Sequence, residues 1–289
     1  MNTVDVKELL EKGAYFGHKV ARTNPRALPY THKAQNGIYI IDLFKTKTSI
    51  ENAMKALETA AASGEQMLVI ATKRIIKSFL AEYCQKNNLN YMTEKWVGGF
   101  FTNFEEVHKN IKKANEHLLK QKTGELDSMI KHQRVKLEKE INKILKVYRG
   151  VLEMAKIPSV IVIVDVKKER NALSEAKKIQ LQQLLEGKEG LKIIGVADTN
   201  ADPNEVDFPI VVNDDSALTL EYVLTHLLNS YLEGRKQVKT EEVAPTAVEE
   251  KKAEVTKPEE KKHEEKKSEE KSAPVEKKKD KVTKVKSKK

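Results

Sequence analysis

Val160-Ile161-Val162-Ile163-Val164-Asp165 is an unbroken run of β-branched apolar residues closed by a carboxylate. It lacks the polar alternation of a half-exposed strand, so both faces must be covered. That is the pattern of a parallel sheet wrapped by helices. Outward from it, Met67-Leu68-Val69-Ile70-Ala71-Thr72 and Leu191-Lys192-Ile193-Ile194-Gly195-Val196-Ala197-Asp198 repeat the theme; Tyr39-Ile40-Ile41-Asp42 is a shorter version and Asn90-Tyr91-Met92 adds a further short strand. Helix-forming stretches follow at 46–62, 74–86, 172–185 and 216–232. The alternation predicts an α/β body, mainly a parallel sheet with helices on both faces.

Between the second and third apolar runs the period changes. Phe104, Val107, Ile111, Ala114 and Leu118 step by three and four, as do Ile130, Arg134, Leu137, Ile141, Ile144 and Tyr148. Each set is a heptad seam, and Gln121-Lys122-Thr123-Gly124-Glu125 supplies a turn between them. Residues 105–149 are therefore predicted to form an antiparallel coiled-coil hairpin inserted into a body made of residues 1–104 and 150–234. The narrow apolar stripe and lysine-rich exterior fit a projecting arm. After Gly234, Phe, Leu, Ile, Trp and Tyr vanish and Lys and Glu dominate. The segment 235–289 is expected to be a disordered charged tail, either solubilising or attracted to RNA.

The formal net charge of +10 is unevenly spread. Residues 1–104 carry 14 Lys/Arg against 9 Asp/Glu and residues 105–149 carry 12 against 7, whereas residues 150–234 carry 8 against 14. A basic first half and an acidic second half suit a body that lays one side on nucleic acid and turns the other toward protein or solvent. One cysteine, Cys84, excludes an intrachain disulfide and fits a reducing compartment. No basic leader opens the chain and no segment approaches bilayer-spanning length, so the expectation is a cytoplasmic protein without a membrane partner.

Sites in open parallel sheets collect at the carboxyl ends of strands, which points to Asp42, Thr72-Lys73-Arg74, Asp165 and Asp198-Thr199-Asn200. Lys73 and Arg74 at a helix start could hold a phosphate. No glycine-rich nucleotide fingerprint, nucleophile elbow or metalloprotease motif occurs. Asp198, Asp202, Asp207, Asp214 and Asp215, joined by His18, admit a divalent cation, but they equally suit capped turns and a helix start. Lys95-Trp96-Val97-Gly98-Gly99-Phe100-Phe101-Thr102-Asn103 holds the sole tryptophan, and reads either as a contact surface or as a core tryptophan beside a tight turn. Its position before the arm makes it a joint: Gly98 and Gly99 redirect the chain and Asn103 caps the first arm helix.

Several blocks, in order, resemble the bacterial "S-two" family of the small ribosomal subunit over about residues 4–235. They are Tyr15-Phe16-Gly17-His18, Asn24-Pro25, Ile40-Ile41-Asp42-Leu43, Ala71-Thr72-Lys73-Arg74, Trp96-Val97-Gly98-Gly99, Asp198-Thr199-Asn200 with Asp202-Pro203, Asn213-Asp214-Asp215 and Glu233-Gly234-Arg235. The resemblance implies a flavodoxin-like body with a coiled-coil arm and no enzymatic task. It further implies binding to small-subunit rRNA at the body–head junction, neighbouring ribosomal proteins, and support for recruiting the mRNA-binding "S-one" protein. It carries RNA contact to Lys19, Arg22, Arg26, Lys33, Lys73, Arg74, Lys95, Trp96 and Asn103. The basic arm adds Lys109, Lys112 and Lys113. A family metal position would fall on His18, Asp198 and Asp214, although no cofactor is required. Two other readings remain open from the residues alone: an α/β phosphate-ligand enzyme and a coiled-coil adaptor.

Overall fold

A computed structural model describes residues 3–124 and 130–241. In chain order the elements are α1 (Val6–Glu11), β1 (Phe16–Lys19), β2 (Thr31–Gln35), β3 (Ile38–Ile41), α2 (Leu43–Ala62), β4 (Met67–Ile70), α3 (Lys77–Asn87), β5 (Asn90–Met92), α4 (Phe104–Thr123), α5 (Lys131–Tyr148), β6 (Val160–Val164), α6 (Arg170–Leu185), β7 (Lys192–Ala197), β8 (Phe208–Val211) and α7 (Ala217–Glu241). Strands β4 to β8 form one parallel sheet in the order β5-β4-β6-β7-β8, a flavodoxin-like arrangement. The Val160–Val164 run lies at its centre, paired with β4 on one side and β7 on the other.

Because successive side chains point to opposite faces, each apolar run feeds two cores. Met67, Val69, Val160, Val162, Val164, Ile194 and Val196 pack with residues of α2, α3 and α7. Leu68, Ile70, Ile161, Ile163 and Ile193 pack with α6 and with the roots of α4 and α5. The arm is thus no appendage at its base: Val107 and Ile111 going out, and Ile144, Val147 and Tyr148 coming back, complete the layer that α6 alone leaves open. The two helices run out from the body and return to it. Val107, Ile111, Ala114, Ile141 and Tyr148 of the expected seams are buried, but Ile130 is 70 % exposed and lies outside them. Residues 121–123, expected to turn, are still helical, and Gly124 ends the helix in a left-handed conformation.

Tyr39-Ile40-Ile41 does not join the parallel sheet. It pairs antiparallel with β1 and β2 in a separate three-stranded sheet of order β1-β3-β2. The reason is local: Asn36 and Gly37, both at positive φ, make the tight hairpin turn that returns β3 onto β2 without a crossover. The expected start of the tail also moves. α7 continues past Gly234 to Glu241, and at Gly234 it lies so close to α2 that a Cβ there would sit 2.4 Å from the Glu58 carbonyl. Gln237 then donates to Glu58 at 3.0 Å. From residue 242 onward the proposed tail lies outside the described residues.

Candidate nucleic-acid interface

The crevice between β4 and β6 is where strand order reverses, and it is the usual ligand position in such sheets. Here the chain's own side chains occupy it. Lys73, just beyond β4, places Nζ 2.7 Å from Asp214 Oδ1, 2.9 Å from Asp215 Oδ1 and 3.2 Å from Asp165 Oδ2, and donates to the Asp214 carbonyl at 2.7 Å. Thr72 hydrogen-bonds Glu169, and Lys168 Nζ donates to the Thr72 carbonyl at 3.0 Å. Burial works against the Lys73 charge, but hydrogen bonding and attraction from Asp214, with help from Asp215 and Asp165, hold the ammonium above the ordinary lysine range. Burial pushes the Asp214 carboxyl up to about 6 even though it accepts a bond from Lys73, and repulsion from the neighbouring Asp165 and Asp198 carboxylates acts in the same direction.

Lys73 is therefore not an available phosphate ligand, contrary to the expectation from sequence. It ties the strand ends together, with a side chain only 14 % exposed. Beside it, His18 Nδ1 lies 2.9 Å from Asp198 Oδ2, and His18 Nε2 lies 2.8 Å from Asn200 Nδ2. The His18 amide donates to Thr199 Oγ1 at 2.8 Å, which pins β1 to the end of β7. Burial raises the Asp198 carboxyl, opposed by the charge of His18 and bonds from Thr199. His18 and Asp198 are together as expected, but Asp214 faces Lys73. Among the described residues no group of three His, Cys, Asp or Glu is arranged to hold a metal. The residues do not fit a divalent cation, because the Lys73 ammonium already sits among the carboxylates.

The Trp96 segment is a joint. Glu175, on the buried face of α6, accepts from Trp96 Nε1 at 3.1 Å, the Gly99 amide at 2.8 Å and the Phe101 amide at 3.1 Å. The indole packs against Phe100 and Phe101 with ring centroids 5.2 and 5.0 Å away. Its polar handle is thus spent inside the protein. Gly99 takes the positive φ that turns the chain. Asn103 occupies the N-cap position of α4, yet its side chain makes no capping bond, so the expected cap is positional only. Sequence reasoning missed Glu175. The available signal was a carboxylate set among Ala172, Leu173, Ala176 and Ile179 on one helix face.

Cations lie outside this locked centre. Between Glu11 and Asp42 the chain holds no acidic residue, and this stretch builds the three-stranded sheet. Lys19, Arg22 and Lys33 are exposed and, among the described residues, have no carboxylate partner. Arg26 is exposed but reaches Asp202 at 2.5 Å, a surface pair that costs little to exchange. Arg74 and Lys95 are exposed, as are Lys112 and Lys113 on α4, whereas Lys109 pairs with Glu106 at 2.5 Å. No helix among the described residues is long and apolar enough to cross a membrane.

A doubly wound sheet whose ligand crevice is filled by its own salt-bridged side chains, with cations displayed on an outer sheet and an arm, defines a binding scaffold. The profile of the family described as "Ribosomal protein S2" matches residues 9–234. The chain is 34 % identical over 252 residues to the small ribosomal subunit protein uS2 of Flavobacterium johnsoniae, covering 85 % of this chain and 95 % of that protein. It is 36 % identical to the uS2 proteins of Coprothermobacter proteolyticus, covering 82 % and 84 %, and Christiangramia forsetii, covering 83 % and 77 %. The chain belongs to the ribosomal protein S2 family, and with it to the structural, non-enzymatic proteins of the small ribosomal subunit.

Proposed function

We propose that the chain binds small-subunit rRNA at the body–head junction, with its outer antiparallel sheet, Arg74, Lys95 and the arm lysines Lys109, Lys112 and Lys113 laid on phosphates. The observation that carries this reading is the acid-free stretch between Glu11 and Asp42, folded so that Lys19, Arg22 and Lys33 are exposed with no carboxylate partner among the described residues. Arg26 joins them by exchanging Asp202 for a phosphate. Trp96 acts indirectly, by fixing Lys95 and the root of the arm. Such contacts position the protein on folded RNA without reading base sequence. The acid-rich segment 150–234 supplies the side turned toward protein, and supports recruitment of the "S-one" protein.

The test replaces Lys19, Arg22 and Lys33 with Glu in the full chain and follows incorporation into small subunits in cells. All three are exposed, so the variant should remain folded, as checked by circular dichroism. Incorporation should fall at least about tenfold, since three phosphate contacts convert to repulsions. A folded variant that incorporates like the parent overturns the assignment.

A further inference from the structure

A cleft of about 520 Å³ opens where the root of α5 meets α3, and its walls come from both the arm and the body. Arg74 and Lys77 line it from the α3 side, and Asn142, Lys146 and Arg149 from the α5 side, with Glu94 as its one carboxylate. Glu94 is committed to Lys77 at 2.6 Å. Arg74, Lys146 and Arg149 have no carboxylate partner among the described residues, and all three are exposed.

The cleft does not stand alone. Lys136, Lys139, Lys143 and Lys146 recur along α5 at intervals of three and four and are all exposed. On a helix these positions share one face, spanning about 15 Å. Ile141, Ile144 and Tyr148 occupy the other side of α5, toward the core. None of the four lysines has an ion-pair partner among the described residues, and the nearby Glu138 is engaged by Arg134 at 3.3 Å. The stripe ends in the cleft.

We propose that the α5 stripe and the cleft form one track for a phosphodiester backbone, with an RNA strand running down the arm and its last phosphates seated between Arg74, Lys146 and Arg149. This deepens the rRNA-binding reading and rests on it. Regularly spaced, unpaired cations match a polyanion rather than a protein, which would be held by buried aromatic anchors. The aromatic ring in the cleft wall, Tyr91, is buried and its hydroxyl accepts from Gln85, so no base-stacking platform faces the ligand. The track holds backbone and ignores sequence.

The test measures binding of the full chain to protein-free small-subunit rRNA across a salt series. It compares the parent with a charge-reversed triple variant (Arg74→Glu, Lys146→Glu, Arg149→Glu) and a neutral one (Arg74→Gln, Lys146→Gln, Arg149→Gln). At about 0.7–0.9 per phosphate contact, the neutral variant should lose about two to three from the slope of log affinity against log salt and weaken at least about tenfold at fixed salt. It also serves as the readout if the reversed variant does not fold. Unchanged slope and affinity in a folded variant overturn the track. Inorganic phosphate or ATP, at matched ionic strength, should displace no more RNA than chloride does. Specific displacement would make the cleft a small-anion site and overturn the backbone assignment. A parent that shows no salt-dependent rRNA binding sinks the broader reading instead, so the two failures are distinguishable.

Discussion

At the scale of single residues, the buried carboxylates give the molecule a pH signature. Asp214 has its carboxyl raised by burial from an ordinary 3.8 to about 6, and Asp198 is raised by the same cause. A carboxyl whose folded pKa exceeds its unfolded value binds its proton more tightly in the folded state. Its contribution to stability is therefore largest at low pH and declines as pH climbs from about 4 to about 6. Asp214→Asn keeps an oxygen for Lys73 and removes the titration. Urea unfolding at pH 4, 5 and 6 should show the parent losing stability relative to this variant as pH rises. A constant gap between the two would refute the assignment. Glu175→Gln makes a second test, because one amide oxygen cannot replace two carboxylate oxygens receiving three N–H groups. We expect a loss of about 1–3 kcal/mol and a shift of the lone Trp96 emission to longer wavelength. An unshifted emission would mean that Glu175 does not hold the joint.

At the scale of elements, the arm divides into a structural root and a dispensable outer part. Val107, Ile111 and Tyr148 are buried in the core shared with α6, whereas the outer part buries His117 with neither ring nitrogen hydrogen-bonded. Replacing residues 116–138 with a short glycine-containing turn should move the thermal midpoint by only a few degrees. Removing 105–149 strips three large side chains from the core at about 2–4 kcal/mol each and should prevent folding. If both deletions unfold alike, the outer arm is structural after all. The elements also show what is readable from sequence. The runs at β4, β6 and β7 and the period of α4 and α5 were legible because a fully buried strand and an arm helix each leave a one-dimensional signature. β8 was not, since Phe208-Pro209-Ile210-Val211 is four residues long with a proline, which is tolerated here because the strand lies at the sheet edge. β1 and β2 are short and mostly exposed, so they carry no apolar pattern. β3 was visible as a strand but not as a member of a different sheet, because an apolar run does not state its partner.

At the scale of the whole molecule, the fold class was legible and the assignment of site residues only partly so. Lys73 reads as a cation at a strand end, and nothing local announces that Asp214, 141 positions away, will take it. By contrast, Lys19, Arg22 and Lys33 of the acid-free stretch are visible in the sequence itself and stay exposed in the structure with no carboxylate partner among the described residues, although Arg26 beside them is met by the remote Asp202. What fastens that stretch is remote: the Asp5 amide donates to Tyr222, Ser216 to the Lys12 carbonyl, Asn213 to Gly13, and His18 meets Asp198. These fastenings impose an order in time. A chain emerging at about 5–20 residues per second leaves its first forty residues waiting on the order of ten to forty seconds before Tyr222 exists to receive them. The cationic sheet is therefore synthesised first and seated last, and a nascent chain completes this outer sheet only when the rest of its body is almost finished.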